Sequence, residues 1–198
     1  TRRTDQADRL LTSAATTVLV VDDDPAVHDL MRRSLEKDGF RVELAADGKA
    51  GLELAKKNNV VLVGTEFTQL AEREVGAPGW HATMVDRLRR AYRVGVTMAF
   101  GTDTMFGYRG ETRGTLALGQ LDSWVEAGIP AKDTLKAMIP NAVKLLGVDG
   151  ARGAIRAGQA ADIIATPDNP LDNIQTLKRV LFVMKDGSVV RNDRAATN

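Results

Sequence analysis

Short runs of β-branched residues alternate with helical patterns from Val18 to Gly147, and this alternation restricts the fold of the chain most. The runs Val18–Val21 and Val60–Val63 have the continuous apolar character of strands that are buried on both faces. Val96–Phe100 is a further run of this kind. Strands that alternate with helices of about 10–15 residues form parallel sheets with right-handed crossovers. The sequence therefore predicts an α/β fold built from βα units.

The first predicted helix has a start signal and a stop signal. Asp24 can cap the helix, since its side chain can accept hydrogen bonds from backbone N–H groups, and Pro25 suits the first helical position. Gly39 favours the left-handed conformation that ends many helices. A second strand over Phe40–Ala45 and a second helix over Lys49–Asn58 complete this segment.

The pattern changes after Gly147. Glycines become frequent, and the apolar runs Ala160–Ala165 and Leu181–Met184 are short. Lys185–Ser188 has the composition of a turn between two strands. We therefore expect a small C-terminal β appendage with a hairpin. The predicted organisation is a leader or linker (1–17), two βαβα segments of one domain (18–57 and 58–147, the second with an additional helix) and the appendage with its tail (148–198).

The composition excludes several functions. The 27 Lys and Arg and the 26 Asp and Glu are spread evenly and give a net charge of +1, which does not favour nucleic-acid binding. Without cysteine, the chain has no disulfide, thiolate metal site or cysteine nucleophile. No apolar run reaches the roughly 18 residues of a membrane span, and residues 1–17 lack the apolar core of a signal peptide. We expect a cytoplasmic protein that binds no nucleic acid or membrane and whose chemistry, with two histidines, relies mainly on carboxylates.

Residues 18–57 resemble the first half of a response-regulator receiver domain. The resemblance is carried by Val18–Pro25 (VLVVDDDP), by Gly39-Phe40 and by Ala46–Gly48. It implies that Asp22 and Asp23 bind Mg²⁺ beside an aspartate that accepts a phosphoryl group. That aspartate should end the third strand, where this chain has Gly64–Glu66, so we do not expect phosphotransfer of the receiver type.

Residues 59–192 resemble the end of a metal-dependent amidohydrolase of the imidazolonepropionase and Xaa-Pro dipeptidase branch. Ala99–Asp103 matches the last barrel strand, and Gly158–Asp162 and Asn169–Asp172 match the C-terminal β segment. The resemblance implies that Asp103 is a metal ligand and proton shuttle. The His-x-His pair and the two further histidines that the family uses have no counterpart here, although a hydrolytic metal site needs about three protein ligands.

The two resemblances meet between Lys57 and Val60. We interpret this junction as an engineered recombination that yields a chimeric scaffold without efficient catalysis. Receiver domains and β/α barrels share the strand–helix unit, so the four strands can form one flavodoxin-like parallel sheet in the order 2-1-3-4. Two alternatives stay open. One is a vestigial metal-dependent hydrolase of amide or peptide C–N bonds, and the other is a Mg²⁺-binding signalling module of receiver type.

Four carboxylates follow the predicted strands at their carboxyl ends, where open α/β sheets bind ligands. They are Asp22, Asp23, Glu66 and Asp103. Carboxylate oxygens suit Mg²⁺ and also bind Zn²⁺, so these four are the predicted metal ligands, and Asp103 is also the vestigial catalytic residue. Because Asp103 alone remains from the ligand set of the family, we expect that no cofactor is required.

The histidines and the C-terminal strands carry the remaining expectations. His81 has no His or Cys neighbour at ligand spacing, which favours a surface or capping position, and His28 lies on the polar, solvent-facing side of the first helix. In the amidohydrolase family the C-terminal strands pair with strands from the N-terminus of the same chain. Here their edges would be unpaired, and pairing with a second copy would cover them. We therefore predict a homodimer through the C-terminal strands.

Overall fold

The computed structural model describes residues 17–57, 61–64, 68–104, 107 and 110–193. The chain divides into two compact units. Residues 1–62 and 91–97 form the first, and residues 63–90 and 98–198 form the second. The first unit begins with two βα repeats: β1 (Thr17–Val21), α1 (Pro25–Lys37), β2 (Arg41–Ala45) and α2 (Gly48–Lys57).

Helix α1 begins where its capping residues predict. The Asp24 carboxylate accepts a hydrogen bond from the Ala26 N–H at 2.8 Å, and Pro25 occupies the first helical position. Strands β1 and β2 pair in parallel, with Val18 opposite Val42. No residue of α1 is fully buried, and Leu30 keeps 67% of its surface exposed. The apolar face of α1 is therefore incompletely covered within its own unit.

The chain continues with two more strands and a series of helices. Their bounds are β3 (Val61–Gly64), α3 (Gln69–Val75), α4 (Trp80–Val94), β4 (Thr97–Phe100), α5 (Arg113–Gly119), α6 (Leu121–Glu126), α7 (Ala131–Met138) and α8 (Pro140–Leu145). The C-terminal part contains β5 (Ile163–Ala165), a 3₁₀ helix (Ile174–Lys178), β6 (Phe182–Lys185) and β7 (Ser188–Asn192). Among the described helices, none combines the length and the hydropathy that a bilayer span requires.

The strands of the described residues form three separate sheets: β1 with β2, β3 with β4, and β5–β6–β7. The predicted flavodoxin-like sheet in the order 2-1-3-4 is wrong, because that order requires β1 to pair with β3 and the two strands belong to different sheets. Alternation of strands and helices specifies each βα unit. It does not specify which strand edges meet, since the same unit builds open sheets and closed barrels.

The C-terminal sheet is antiparallel and contains a tight hairpin. Ile163 lies opposite Met184, and Lys185 lies opposite Ser188 across the turn. The two turn residues, Asp186 and Gly187, have φ values of 48° and 80°, as a two-residue type I′ turn requires. The outer strands β5 and β7 pair on one side only within the described residues. The homodimer through these strands stays a prediction.

The core of the second unit lies where α6 meets the 3₁₀ helix. Leu121, Ile174 and Leu177 form its buried centre. The partly buried residues packed around them are Phe100, Leu118, Ala131, Leu135 and Met138. Trp124 is also buried, and its ring centroid lies 5.4 Å from that of Phe100 at the end of β4. This packing fixes α6 against the end of β4, from which the candidate site extends.

Candidate functional site

Asp103 lies in the loop that follows β4, with its side chain exposed. Its φ of 45° places it in the left-handed region, which residues other than glycine seldom occupy. Two residues earlier, the Gly101 N–H donates a hydrogen bond to the Gly64 carbonyl at 2.8 Å, which ties the end of β4 to the end of β3. The carboxylate is therefore presented at the carboxyl end of a strand, where α/β proteins place their ligand sites.

The peptide group before Asp103 is held by two donors. The Gln120 side-chain amide donates from Nε2 to the Thr102 carbonyl at 2.6 Å, and the Thr104 hydroxyl donates to the same oxygen at 3.2 Å. Gln120 is 6% exposed and connects α5 to α6. Sequence reasoning missed this residue, because a single glutamine between two helical patterns carries no signal of its own.

The acidic run after β1 has a local structural role. The Asp22 carboxylate accepts a hydrogen bond from the Asp24 N–H at 2.9 Å, and Asp24 in turn caps α1. Asp23 is exposed. Asp22 and Asp23 belong to the first unit and Asp103 to the second, while Glu66 falls outside the described residues. The four-carboxylate metal site therefore stays a prediction.

The described part of the chain does not by itself fit a catalytic metal. Across residues 17–57, 61–64, 68–104, 107 and 110–193, no group of three or more His, Asp and Glu side chains could hold an ion. Catalytic zinc sites use about three protein ligands and an open position for water. Asp103 can supply one carboxylate to such a site.

His81 lies in the first turn of α4 and is buried, so the surface alternative of the predicted surface or capping position is wrong. It is 7% exposed, and its Nε2–H donates a hydrogen bond to the Glu126 carboxylate at 2.8 Å. Both line a cavity of about 320 Å³, together with Glu111 and Asp122. The spacing of His81 from the buried Val85 and Leu88 on α4 places all three on one helical face, and this signal could have revealed its burial.

Glu72 joins α3 to the start of α4. Its two carboxylate oxygens accept hydrogen bonds from the backbone N–H groups of Gly79 at 3.1 Å and His81 at 2.7 Å. These bonds, led by the one from His81, lower the pKa of Glu72 below its usual value. The carboxylate therefore acts as a charged cap at the beginning of α4.

His28 also differs from its predicted position in solvent. The imidazole is half-buried, and its Nε2 lies 3.2 Å from the Ala45 carbonyl at the end of β2. The side chain thus connects α1 to the neighbouring strand. Helical periodicity placed His28 on the polar face, but an imidazole on that face can reach a carbonyl at a strand end.

A family model with the description "Amidohydrolase family" matches residues 23–190. Ochratoxinase from Aspergillus niger is 33% identical over 105 residues, which cover 51% of this chain and 21% of the relative. The response regulator MprA from Mycobacterium sp. (strain KMS) is 54% identical over 41 residues, which cover 21% of this chain and 18% of the relative. The chain thus spans about a fifth of the length of these curated relatives.

Solved structures match the chain over most of its length. A Xaa-Pro dipeptidase with bound methionine aligns with a TM-score of 0.61 and 24% identity, covering 81% of this chain and 47% of that protein. A prolidase complexed with N-methylphosphonate-L-proline aligns with a TM-score of 0.65 and 20% identity, covering 89% of this chain and 45% of that protein. These folds are TIM-barrel-like, which also overturns the flavodoxin-like prediction.

The residues that the family model matches, 23–190, lie on both sides of the predicted junction between Lys57 and Val60. An engineered chimera is therefore unsupported, although the short receiver-like match is present. The match to the prolidase covers 89% of the chain, more than residues 59–192 alone could account for. Receiver domains and β/α barrels share the same βα unit, so a short stretch can resemble both.

Proposed function

Since this chain belongs to the amidohydrolase family, we propose that it hydrolyses amide or peptide C–N bonds, with Asp103 as the carboxylate that carries the proton. The observation that carries the proposal is the fixed position of Asp103. Its carboxylate is exposed at the carboxyl end of β4, and the preceding peptide is held by Gln120. The similar proteins named as a Xaa-Pro dipeptidase and a prolidase support a substrate with a peptide bond.

The proposed reaction adds one water molecule to the substrate. The water oxygen attacks the carbonyl carbon while the Asp103 carboxylate takes a proton from the water. Asp103 then gives this proton to the substrate nitrogen as the C–N bond breaks, and the products are a carboxylic acid and an amine. A carboxylate within hydrogen-bond reach of both oxygen and nitrogen can act first as general base and then as general acid.

The amidohydrolase family is generally metal-dependent, which conflicts with the expectation that no cofactor is required. Hydrolases of this kind use a metal to polarise the carbonyl group and to activate water. The described residues offer one carboxylate at Asp103 and no cluster of three ligands. The step that the described residues support is therefore the proton transfer at Asp103.

The test is hydrolysis by the purified chain. Xaa-Pro dipeptides and N-acyl amino acids are incubated with the protein, with and without added Zn²⁺ or Mg²⁺, and the released amine is quantified by mass spectrometry. Asp103→Asn should lower kcat/KM by about 10²–10⁴-fold, the usual contribution of general acid–base catalysis. Asparagine tolerates the left-handed conformation, so the backbone at residue 103 should persist.

The matched control is Asp172→Asn, which alters an exposed aspartate bonded to Asn169 in the C-terminal part. This variant should keep the rate of the unmodified chain. The proposal fails if the unmodified chain releases no amine above the buffer rate under any metal condition. It also fails if Asp103→Asn is as active as the unmodified chain.

A further inference from the structure

We propose that Gln120 is a positioning residue that holds Asp103 in its left-handed conformation through the Thr102 carbonyl. The inference deepens the proposed function and rests on it for its catalytic consequence. The Gln120 Nε2–H donates to the Thr102 oxygen at 2.6 Å, the shortest of the hydrogen bonds described in this loop. Gln120 itself does not contact the reacting atoms in this scheme.

The geometry of the backbone explains how this contact acts on Asp103. The Thr102 carbonyl and the Asp103 N–H belong to one planar peptide group. A donor that fixes the carbonyl oxygen therefore fixes the peptide plane, which is one of the two planes that define the φ angle of Asp103. Aspartate tolerates left-handed φ better than most residues with a Cβ, but this conformation still costs more than a right-handed or extended one, so contacts from the surrounding structure favour it at Asp103. Gln120 and Thr104 are the two side chains that bind this carbonyl among the described residues.

Gln120 is suited to this task because its own position is fixed. Its N–H donates to the Ala117 carbonyl, its carbonyl accepts from the Ser123 N–H, and its neighbour Leu121 is fully buried. The side chain thus starts from a rigid corner between α5 and α6 and points to the β4 loop. It can hold the Thr102 carbonyl because it has little freedom to move away.

The unpaired oxygen of the same amide points to the same conclusion. The Gln120 Oε1 is buried and has no hydrogen-bond partner in the described part of the chain. A buried polar atom without a partner destabilises the fold, and an apolar side chain of similar size would avoid this cost. The bond from Nε2 to Thr102 is the interaction at this position that an apolar side chain could not make.

The test compares Gln120→Leu with Gln175→Leu. Leucine at position 120 keeps a similar volume and removes the donor. Gln175 is a matched control, because its amide donates to Asp122 at 2.8 Å and not to the β4 loop. The conformation of Asp103 is read by NMR from the intraresidue N–H to Hα Overhauser effect, which is strong when φ is left-handed. Folding is checked by circular dichroism, and kcat and KM are measured separately.

The strong intraresidue Overhauser effect at Asp103 should be present in the unmodified chain and in Gln175→Leu. It should be lost in Gln120→Leu. The kcat of Gln120→Leu should fall roughly tenfold to hundredfold with KM within about twofold, because a misplaced catalytic group slows the chemical step more than it weakens binding. If Gln120→Leu does not fold, Gln120→Met replaces it, since methionine keeps the unbranched shape of glutamine.

Two results would overturn the inference. One is a strong intraresidue Overhauser effect at Asp103 that persists in Gln120→Leu. The other is a weak Overhauser effect at Asp103 in the unmodified chain. Both are observed by NMR and need no turnover. If the unmodified chain releases no amine, the proposed function fails, and the NMR result alone then decides whether Gln120 positions Asp103.

Discussion

The imidazole of His81 donates a hydrogen bond to the Glu126 carboxylate, with Nε2 2.8 Å from Oε2. The histidine is buried at the start of α4, while the glutamate at the end of α6 stays partly exposed. Arg89 on α4 donates to the backbone carbonyl of Glu126 at 3.1 Å, so two side chains of one helix bind the same residue. The end of α6 is therefore held to α4 at two points.

We expect His81→Ala to lower the free energy of unfolding by about 2–3 kcal/mol, because it removes a buried ring and its hydrogen bond together. His81→Leu keeps most of the volume and should cost less, since Glu126 can be solvated when it loses its partner. The measurement is urea denaturation followed by circular dichroism.

His28→Ala is the control for this prediction. His28 is half-buried on α1, and its Nε2 lies 3.2 Å from the Ala45 carbonyl. His28→Ala should therefore lower the free energy of unfolding by less than His81→Ala does. Equal losses for the two variants would show that burial of His81 does not stabilise the fold.

We expect the fold to lose stability in acid because of the contacts of Asp162. Its carboxylate accepts hydrogen bonds from the Asp186 N–H at 2.8 Å and from the Lys185 ammonium at 2.9 Å, and it also pairs with Arg152. Led by the Asp186 N–H, these contacts lower the pKa of Asp162 from 3.8 to about 2. Because the folded pKa is the lower one, the charged carboxylate stabilises the fold above about pH 4, and this stabilisation is lost as the pH falls towards 2.

The measurement is the thermal unfolding midpoint at pH 7, 4 and 2. The unmodified chain should lose more stability between pH 4 and pH 2 than Asp162→Asn, which lacks the titrating group. Asp168→Asn is the matched control, since Asp168 forms one exposed ion pair with Arg179 at 2.7 Å, and such pairs contribute little. Parallel acid profiles for the unmodified chain and Asp162→Asn would contradict the prediction.

Alanine substitutions at Gly153 and Gly158, which have similar φ values, distinguish two contributions to the loss of folding free energy. One is steric crowding of the new Cβ, and the other is backbone strain. Gly153 has φ 93°, and an added Cβ would lie 2.8 Å from a methyl carbon of Val143. Gly158 has φ 85°, and apart from its own chain neighbours no atom of the described residues lies within 4 Å of an added Cβ. Gly158→Ala should cost about 1–2 kcal/mol from strain alone, and Gly153→Ala about 1–3 kcal/mol more.

Chemical denaturation of the two glycine variants measures the difference directly. The control is the double variant that combines Gly153→Ala with Val143→Ala. The smaller residue at position 143 removes the methyl groups that crowd the new Cβ. The extra cost of Gly153→Ala should shrink in that background. A cost that does not change would mean that Val143 is not its cause.

The parts of the fold that depend on neighbouring residues were predictable from the sequence. Asp24 reaches a backbone N–H two residues ahead, so the start of α1 could be inferred from residues 24 and 25 alone. The hairpin at Asp186 and Gly187 was predictable for the same reason, since both turn residues tolerate positive φ. The match to a family motif singled out Asp103 as a candidate site residue. Its left-handed φ was not predictable, because nothing in the residue type requires that conformation.

Contacts between distant residues were not predictable. The bond from Gln120 to Thr102 spans 18 positions, and the bond from His81 to Glu126 spans 45. Each depends on how a later helix returns to an earlier element. The order of the strands has the same origin: the pattern specifies β1, β2, β3 and β4 one by one and leaves their edges unassigned. That is why the predicted single sheet was wrong.

The corner between α3 and α4 is closed by the single carboxylate of Glu72, which binds the N–H groups of Gly79 and His81. Each bond uses a different oxygen of the same charged group, so both depend on one side chain. Replacing Glu72 would remove the acceptor of both amides, so the beginning of α4 would lose these two capping hydrogen bonds. One side chain thus anchors the backbone of His81, a residue whose side chain lines the cavity.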